Sequence, residues 1–222
     1  AATDGVAACL RGYGVANERI VVSGIPIAAK FSGPFDPAAL RARLGLEPRT
    51  PTLLVVGGQL AFTKLRGLVD HLLRATPAQV LVVAGRDAKL YRQLGRTHFA
   101  MPTRVKTFGF ISNIEELMGA ADLVFTKAGG LTVSECLGVG VPMVIGRVIP
   151  GQEEDNVAYL AGQGAAVHVN DLARLEATIV RLMASPAELG RMRERCRAIG
   201  RPHAAAQVAE FVMRQVGVVS SQ

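Results

Sequence analysis

Tryptophan is absent from this chain of 222 residues, and the aromatic residues together make up only 5% of it. With so few rings interleaved among its dispersed Lys and Arg, the chain does not read as a nucleic-acid binder. Cysteine is equally thin. Cys9, Cys136 and Cys196 are odd in number and lack C-x-x-C spacing, which argues against a disulfide framework or a zinc site and suits a reducing cytosol. His71, His98, His168 and His203 are scattered too, so no metal is inferred. No apolar run approaches the roughly 20 residues of a spanning helix, and the start lacks the basic-then-apolar layout of a secretory signal. The chain therefore reads as soluble and cytoplasmic.

What is abundant is small and apolar. Half of the residues are hydrophobic, and Ala, Gly, Val and Leu dominate, as close-packed α/β layers require. The net charge is +7, which favours phosphate-bearing ligands or the anionic inner face of a membrane as partners.

Strand-like runs recur at Arg19–Ser23, Thr52–Val56, Gln79–Ala84, Val105–Phe108, Asp122–Phe125, Pro142–Ile145 and Ala166–Val169. Most are separated by helix-length segments, such as Thr63–Ala75 with Leu65, Leu68, Val69, Leu72 and Leu73 at helical spacing. Ser112-Asn-Ile-Glu115 resembles a capping box opening a short helix. Strands that are apolar throughout are buried on both faces, so the expected fold is α/β, a mainly parallel sheet covered by helices. Beyond Val169 the pattern turns helical over Asp171–Ala184, Pro186–Ile199 and His203–Val216. The opening reads as a small helix, a lone strand and a connector, and there is no initiator Met. Residues 1–31 are therefore expected to be the remnant of a preceding domain with its connector, and 32–222 the main domain with its C-terminal helices.

Two segments carry chemistry. Thr126-Lys-Ala-Gly-Gly-Leu-Thr-Val-Ser-Glu135 follows a strand and opens a helix near Leu131. Such a helix start offers unpaired N–H groups and the positive end of the macrodipole, and Gly129 and Gly130 let a phosphate approach closely. Thr132 and Ser134 add hydroxyls, and Glu135 is positioned to accept both hydroxyls of a ribose. Thr132-Val-Ser-Glu135 fits a capping box equally well, with Glu135 merely closing its own helix. The second segment, Pro150-Gly-Gln-Glu-Glu-Asp-Asn156, offers Gln152, Glu153 and Asp155 to sugar hydroxyls, whereas Glu154 suits a solvated helix start. Gly57-Gly58-Gln59 ends a strand where a ligand can meet backbone, and Phe108-Gly-Phe-Ile111 ends another where a flat base can be flanked. Lys64, Lys127 and Arg147 are candidate partners for phosphate.

Taken together, Gly24-Ile-Pro-Ile27, Gly57-Gly58, Gly109-Phe-Ile111, Thr126–Glu135, Gly140-Val-Pro142 and Pro150–Asn156 resemble the C-terminal half of a GT-B glycosyltransferase of family 28. This family includes monogalactosyldiacylglycerol synthase, the processive diacylglycerol glucosyltransferases and the N-acetylglucosaminyltransferase that makes lipid II. The resemblance implies a Rossmann-like doubly wound parallel sheet and a UDP-sugar co-substrate, with no cofactor. It implies that Phe110 and Ile111 meet the uracil, and that Gly130, Leu131, Thr132, Val133 and Ser134, behind Gly129, hold the diphosphate. Glu135 would take the ribose, while Gln152, Glu153 and Asn156 read the sugar. Gly58 and Gln59 join them at the phosphate side, although the sequence from Gln59 to Lys64 departs from the small residues usual there. Gly24-Ile-Pro matches the glycerolipid branch better than the lipid II branch, and Ala28 replaces the latter's connector arginine. The implied activity is inverting transfer of a hexose to a diacylglycerol-like lipid, with the acceptor and the catalytic base held by an N-terminal domain. The alternatives are the lipid II reaction, a UDP-N-acetylglucosamine 2-epimerase on the same architecture, whose cleft histidines and carboxylates are not found in this pattern, and a non-catalytic nucleotide-sugar-binding module.

Overall fold

The computed structural model describes residues 1–57, 60–146, 148 and 151–216, with Gln152 in its backbone only. Gly58, Gln59, Arg147, Pro150 and the side chain of Gln152 lie outside the described residues.

In chain order the elements are α1 (Asp4–Gly12), α2 (Pro37–Arg43), β1 (Thr52–Val56), α3 (Phe62–Ala75), β2 (Gln79–Val83), α4 (Ala88–Gly95), β3 (Val105–Phe108) and α5 (Ile114–Ala120). They continue with β4 (Leu123–Thr126), α6 (Gly130–Val139), β5 (Met143–Ile145), α7 (Gln152–Gly162), β6 (Ala166–His168), α8 (Leu172–Met183), α9 (Pro186–Ile199) and α10 (Ala204–Gln215). The strands form one wholly parallel sheet in the order β3-β2-β1-β4-β5-β6. This is the doubly wound Rossmann-like order, whose direction of winding reverses between β1 and β4.

The apolar strands explain why both faces are covered. Side chains alternate along a strand, so Leu53 and Val55 enter one core layer while Leu54 enters the other. Leu53, Val80, Val82 and Phe125 pack with Leu65, Leu68 and Leu72 of α3 and Ile179 of α8. Leu54, Leu81, Val124 and Met143 pack with Met118 of α5, Cys136 of α6 and Leu160 of α7. Burying each large apolar side chain contributes about 1.5–3 kcal/mol, and this supplies most of the driving force.

Two sequence expectations are corrected. Arg19–Ser23 is not a strand: Asn17–Arg19 is a 3-10 turn, and the N–H groups of Ser23 and Gly24 donate to Ala1 O at 3.2 Å. A strand needs a neighbouring edge of several residues, and among the described residues this stretch pairs only with Ala1, whose N–H donates to Val21 O at 2.6 Å; Val21 stays 39% exposed. Nor does Ser112 cap α5. The helix opens one residue later, with Asn113 at the cap, and Asn113 Nδ2 donates to Glu116 Oε2 at 3.0 Å.

The connector holds a helix that sequence periodicity did not reveal. Asp36 caps α2 by accepting from the N–H groups of Ala38 and Ala39, and Pro37 occupies the first helical position. Buried Arg41 then donates from Nε to Ala120 O at 2.8 Å and pairs with Asp122 Oδ2 at 2.8 Å. The same carboxylate oxygen accepts from Thr52 N at 2.8 Å, so one buried network ties the connector to the starts of β1 and β4.

Candidate nucleotide site

At the C-terminal end of β4 the chain leaves the sheet through Lys127-Ala128-Gly129 and enters α6 at Gly130. Gly129 is the cap residue and has no side chain to satisfy the helix start. The first helical bond runs from Val133 N to Gly129 O at 3.0 Å, and no acceptor among the described residues meets the N–H groups of Gly130, Leu131 and Thr132. Three donors thus point out of the helix together, as an anion-binding start requires. Thr132 lies at the third helical position, so the capping box suggested by Thr132–Glu135 does not exist, and Glu135 is left without that structural duty.

The acidic loop comes to the same place. Gly151, with φ of +99°, caps α7, and Glu154 Oε2 accepts from Gly151 N at 3.1 Å, the helix-start role expected for it. One turn of α7 then faces α6. Asn156 Nδ2 donates to Ala128 O at 2.8 Å, and Lys127 Nζ pairs with Glu153 Oε1 at 3.1 Å. Lys127 is therefore held by a carboxylate, and Glu153 is buried. A Cβ on Gly129 would stand 3.3 Å from Lys127 Cε, and one on Gly130 would stand 3.1 Å from Ile25 Cδ1. The Gly-Ile-Pro connector consequently lies over the helix start.

Glu135 projects half-buried from the next turn of α6, and burial raises its carboxyl pKa from the ordinary value. Lys30 pulls the other way and Glu115 adds to the rise. Lys30 Nζ pairs with Glu115 Oε2 at 2.7 Å and also donates to the carbonyl of Ser112. It links Glu135 electrostatically to the turn that follows β3. That turn presents Phe110, 67% exposed, while Ile111 is half-buried against the core. Arg86, at the end of β2, lies over the Phe110 ring at 5.3 Å from its centroid.

Among the described candidate residues, Glu153 and Asn156 meet the segment Lys127–Gly130 at the start of α6, and Lys30, which acts on Glu135, holds Ser112 just after Phe110 and Ile111; Gly58, Gln59 and the Gln152 side chain lie outside the described residues. Lys30 and Arg86 carried no signal in the sequence, because their partners are remote in the chain, whereas Ile25 belongs to the Gly24-Ile-Pro26 connector already singled out. Lys64 lines an open hollow of about 990 Å3 with Val148, Glu154 and His168, on the side of α7 that carries Glu154 and Val157.

A wholly parallel doubly wound sheet with a glycine-capped helix start at its switch point defines a Rossmann-like α/β domain of the GT-B kind. Residues 52–208 match the glycosyltransferase family 28 C-terminal domain, and the chain belongs to that family. It is 30% identical over 215 residues to the processive diacylglycerol beta-glucosyltransferase of Bacillus cereus (strain 03BB102), which covers 96% of this chain and 55% of that protein. The chain thus spans little more than half the length of the curated relatives it matches. Among solved structures it resembles MurG of Acinetobacter baumannii, with a TM-score of 0.63 at 20% identity over 88% of this chain and 57% of that one. It also resembles the S. aureus MnaA–UDP co-structure, with a TM-score of 0.74 at 11% identity over 100% of this chain and 61% of that one.

Proposed function

We propose that this domain binds the UDP of a UDP-sugar and forms the donor half of an inverting glycosyltransferase that moves a hexose to a diacylglycerol-like lipid. The observation that carries this reading is the meeting of three N–H groups at the start of α6, without an acceptor among the described residues, with the Glu135 carboxylate one turn further on. The diphosphate lies against Gly130–Ser134, and Gly129 and Gly130 leave room for it. The ribose hydroxyls donate to Glu135, and the uracil meets the backbone at Phe110 and Ile111. Gln152 reads the sugar, with Glu153 and Asn156 fixing the start of α7 beside it. The acceptor hydroxyl attacks the anomeric carbon in line, and the α6 dipole with its N–H groups stabilises the departing diphosphate without help from a metal. Residues 1–31 belong with the connector and the acceptor domain, which supplies the base and the lipid pocket. The net charge of +7 suits work at an anionic membrane surface.

The 30% identity to Bacillus processive diacylglycerol beta-glucosyltransferases and the Gly24-Ile-Pro26 connector favour a glycerolipid acceptor over a polyprenyl one. A transfer assay tests this reading. The protein, joined to its N-terminal half, is supplied with UDP-glucose, UDP-galactose or UDP-N-acetylglucosamine and with diacylglycerol or polyprenyl acceptors, in vesicles with and without anionic lipid. Transfer of a hexose to diacylglycerol, faster on anionic vesicles, is expected. Transfer only to the polyprenyl acceptor would reassign the substrate, and no transfer with any pair would reject catalysis.

A further inference from the structure

The opposite end of the sheet, where β1 and β4 begin, carries an open hollow of about 740 Å3. Arg41, Asp122, Arg193 and Arg197 line it, and Asp36 stands at its rim. Three guanidiniums thus stand beside two carboxylates, of which only Asp122 pairs with arginine, and both carboxylates are already engaged. Asp36 Oδ1 accepts the N–H groups of Ala38 and Ala39 at 3.0 and 3.1 Å. Asp122 Oδ2 accepts from Arg41 Nη2 and from Thr52 N, each at 2.8 Å.

Little remains for the two arginines of α9. Arg193 Nη2 reaches Asp122 Oδ1 only at 3.7 Å and donates to Ala121 O at 3.3 Å. Arg197 makes no hydrogen bond or ion pair among the described residues. Its side chain lies across Gly140, the left-handed cap of α6, so closely that a Cβ there would stand 2.8 Å from Arg197 Cγ. The negative end of the α6 dipole favours a cation at that spot but gives the guanidinium fork no acceptor. Burial lowers the pKa of Arg193, and although Asp122 opposes this, Arg197 and Arg41 push it lower still. Positive charge is in surplus here, Arg193 is partly desolvated while Arg197 is exposed, and both line the same hollow with donors to spare.

We propose that this hollow is an anion site that takes a phosphate-type oxyanion between Arg193 and Arg197. A guanidinium presents paired N–H donors to two oxygens at once, and phosphate fits two such forks better than a spherical halide does. The site is separate from the nucleotide cluster, so it stands or falls independently of UDP binding. Inorganic phosphate and a small phosphomonoester offer the same oxygen face, and both serve as probes.

The test follows the arginine Nε–H signals of the 222-residue chain by NMR during titration with inorganic phosphate, glycerol 3-phosphate, or chloride at matched ionic strength. Saturable shifts of the Arg193 and Arg197 signals with a phosphate probe but not with chloride are expected. Tighter binding of glycerol 3-phosphate would identify an organic phosphomonoester as the ligand, and tighter binding of inorganic phosphate the free ion. In Arg197→Ala the affinity should fall about tenfold or more, the loss of a charge-assisted bidentate contact, with the unfolding temperature unchanged. Arg193→Gln should show the same loss. Shifts that do not saturate, shifts equal in chloride, or an affinity unchanged in both variants would overturn the proposal.

Discussion

Glu135 illustrates how a single side chain is set aside from structural work. It follows the first turn of α6, but the cap of that helix is Gly129, so the carboxylate closes nothing. Burial raises its pKa, and the sign of the consequence is definite. A carboxyl whose pKa is higher in the folded state contributes most to stability below its unfolded pKa, and this contribution is lost as pH rises through the folded pKa. At neutral pH the ionised Glu135 therefore costs stability, as binding groups often do. Glu135→Gln is expected to raise the unfolding temperature at pH 7 while weakening UDP binding. Wild-type binding should also fall on acidification as Glu135 takes up a proton, at a pH shifted upward by burial from its ordinary value, a step absent from the variant. Thermal unfolding and UDP titrations across pH read both effects; a Glu135→Gln protein less stable at pH 7 would contradict them. Glu135 was legible because its neighbours form a motif. Lys30, which faces it, was not, because its bond to Ser112 spans 82 residues of chain.

At the scale of elements, α6 matters at both of its ends. Its start is left open by glycine, and its finish is closed by glycine for a different reason. Gly140 has φ of +79°, and its N–H returns to Cys136 O and Leu137 O. A side chain there would be strained and would also strike Arg197 Cγ at 2.8 Å. Gly140→Ala is accordingly expected to lose about 1–2 kcal/mol, read by urea unfolding, without a change in UDP affinity. The six strands of the sheet were legible because a short, unbroken apolar run between turn residues must be covered on both faces. Arg19–Ser23 misled because an apolar run says nothing about whether an edge is free to pair with it. Helix α2 escaped notice because it offers one short turn pattern, Asp36-Pro37 before Ala-Ala-Leu, inside a segment rich in Pro and Arg. The loop cluster was half legible. Its residues could be picked out one by one, but the Asn156–Ala128 and Lys127–Glu153 contacts that join them are tertiary.

For the molecule as a whole, the two ends of the sheet have opposite characters. The C-terminal edge gathers helix N–H groups, carboxylates and an exposed aromatic ring, while the N-terminal edge gathers arginines around one shared aspartate. Among the described residues no helix is long and apolar enough to cross a membrane. A domain of this design is expected to bind its nucleotide with its own residues, whatever the rest of the enzyme contributes to turnover. Calorimetric titration of the 222-residue chain with UDP, run beside Glu135→Ala, tests that claim most directly. Saturable binding at millimolar UDP or below is expected, weakened about tenfold or more in the variant, as loss of a charged hydrogen-bond acceptor implies. No binding by the wild type, or equal affinity in the two proteins, would contradict the account.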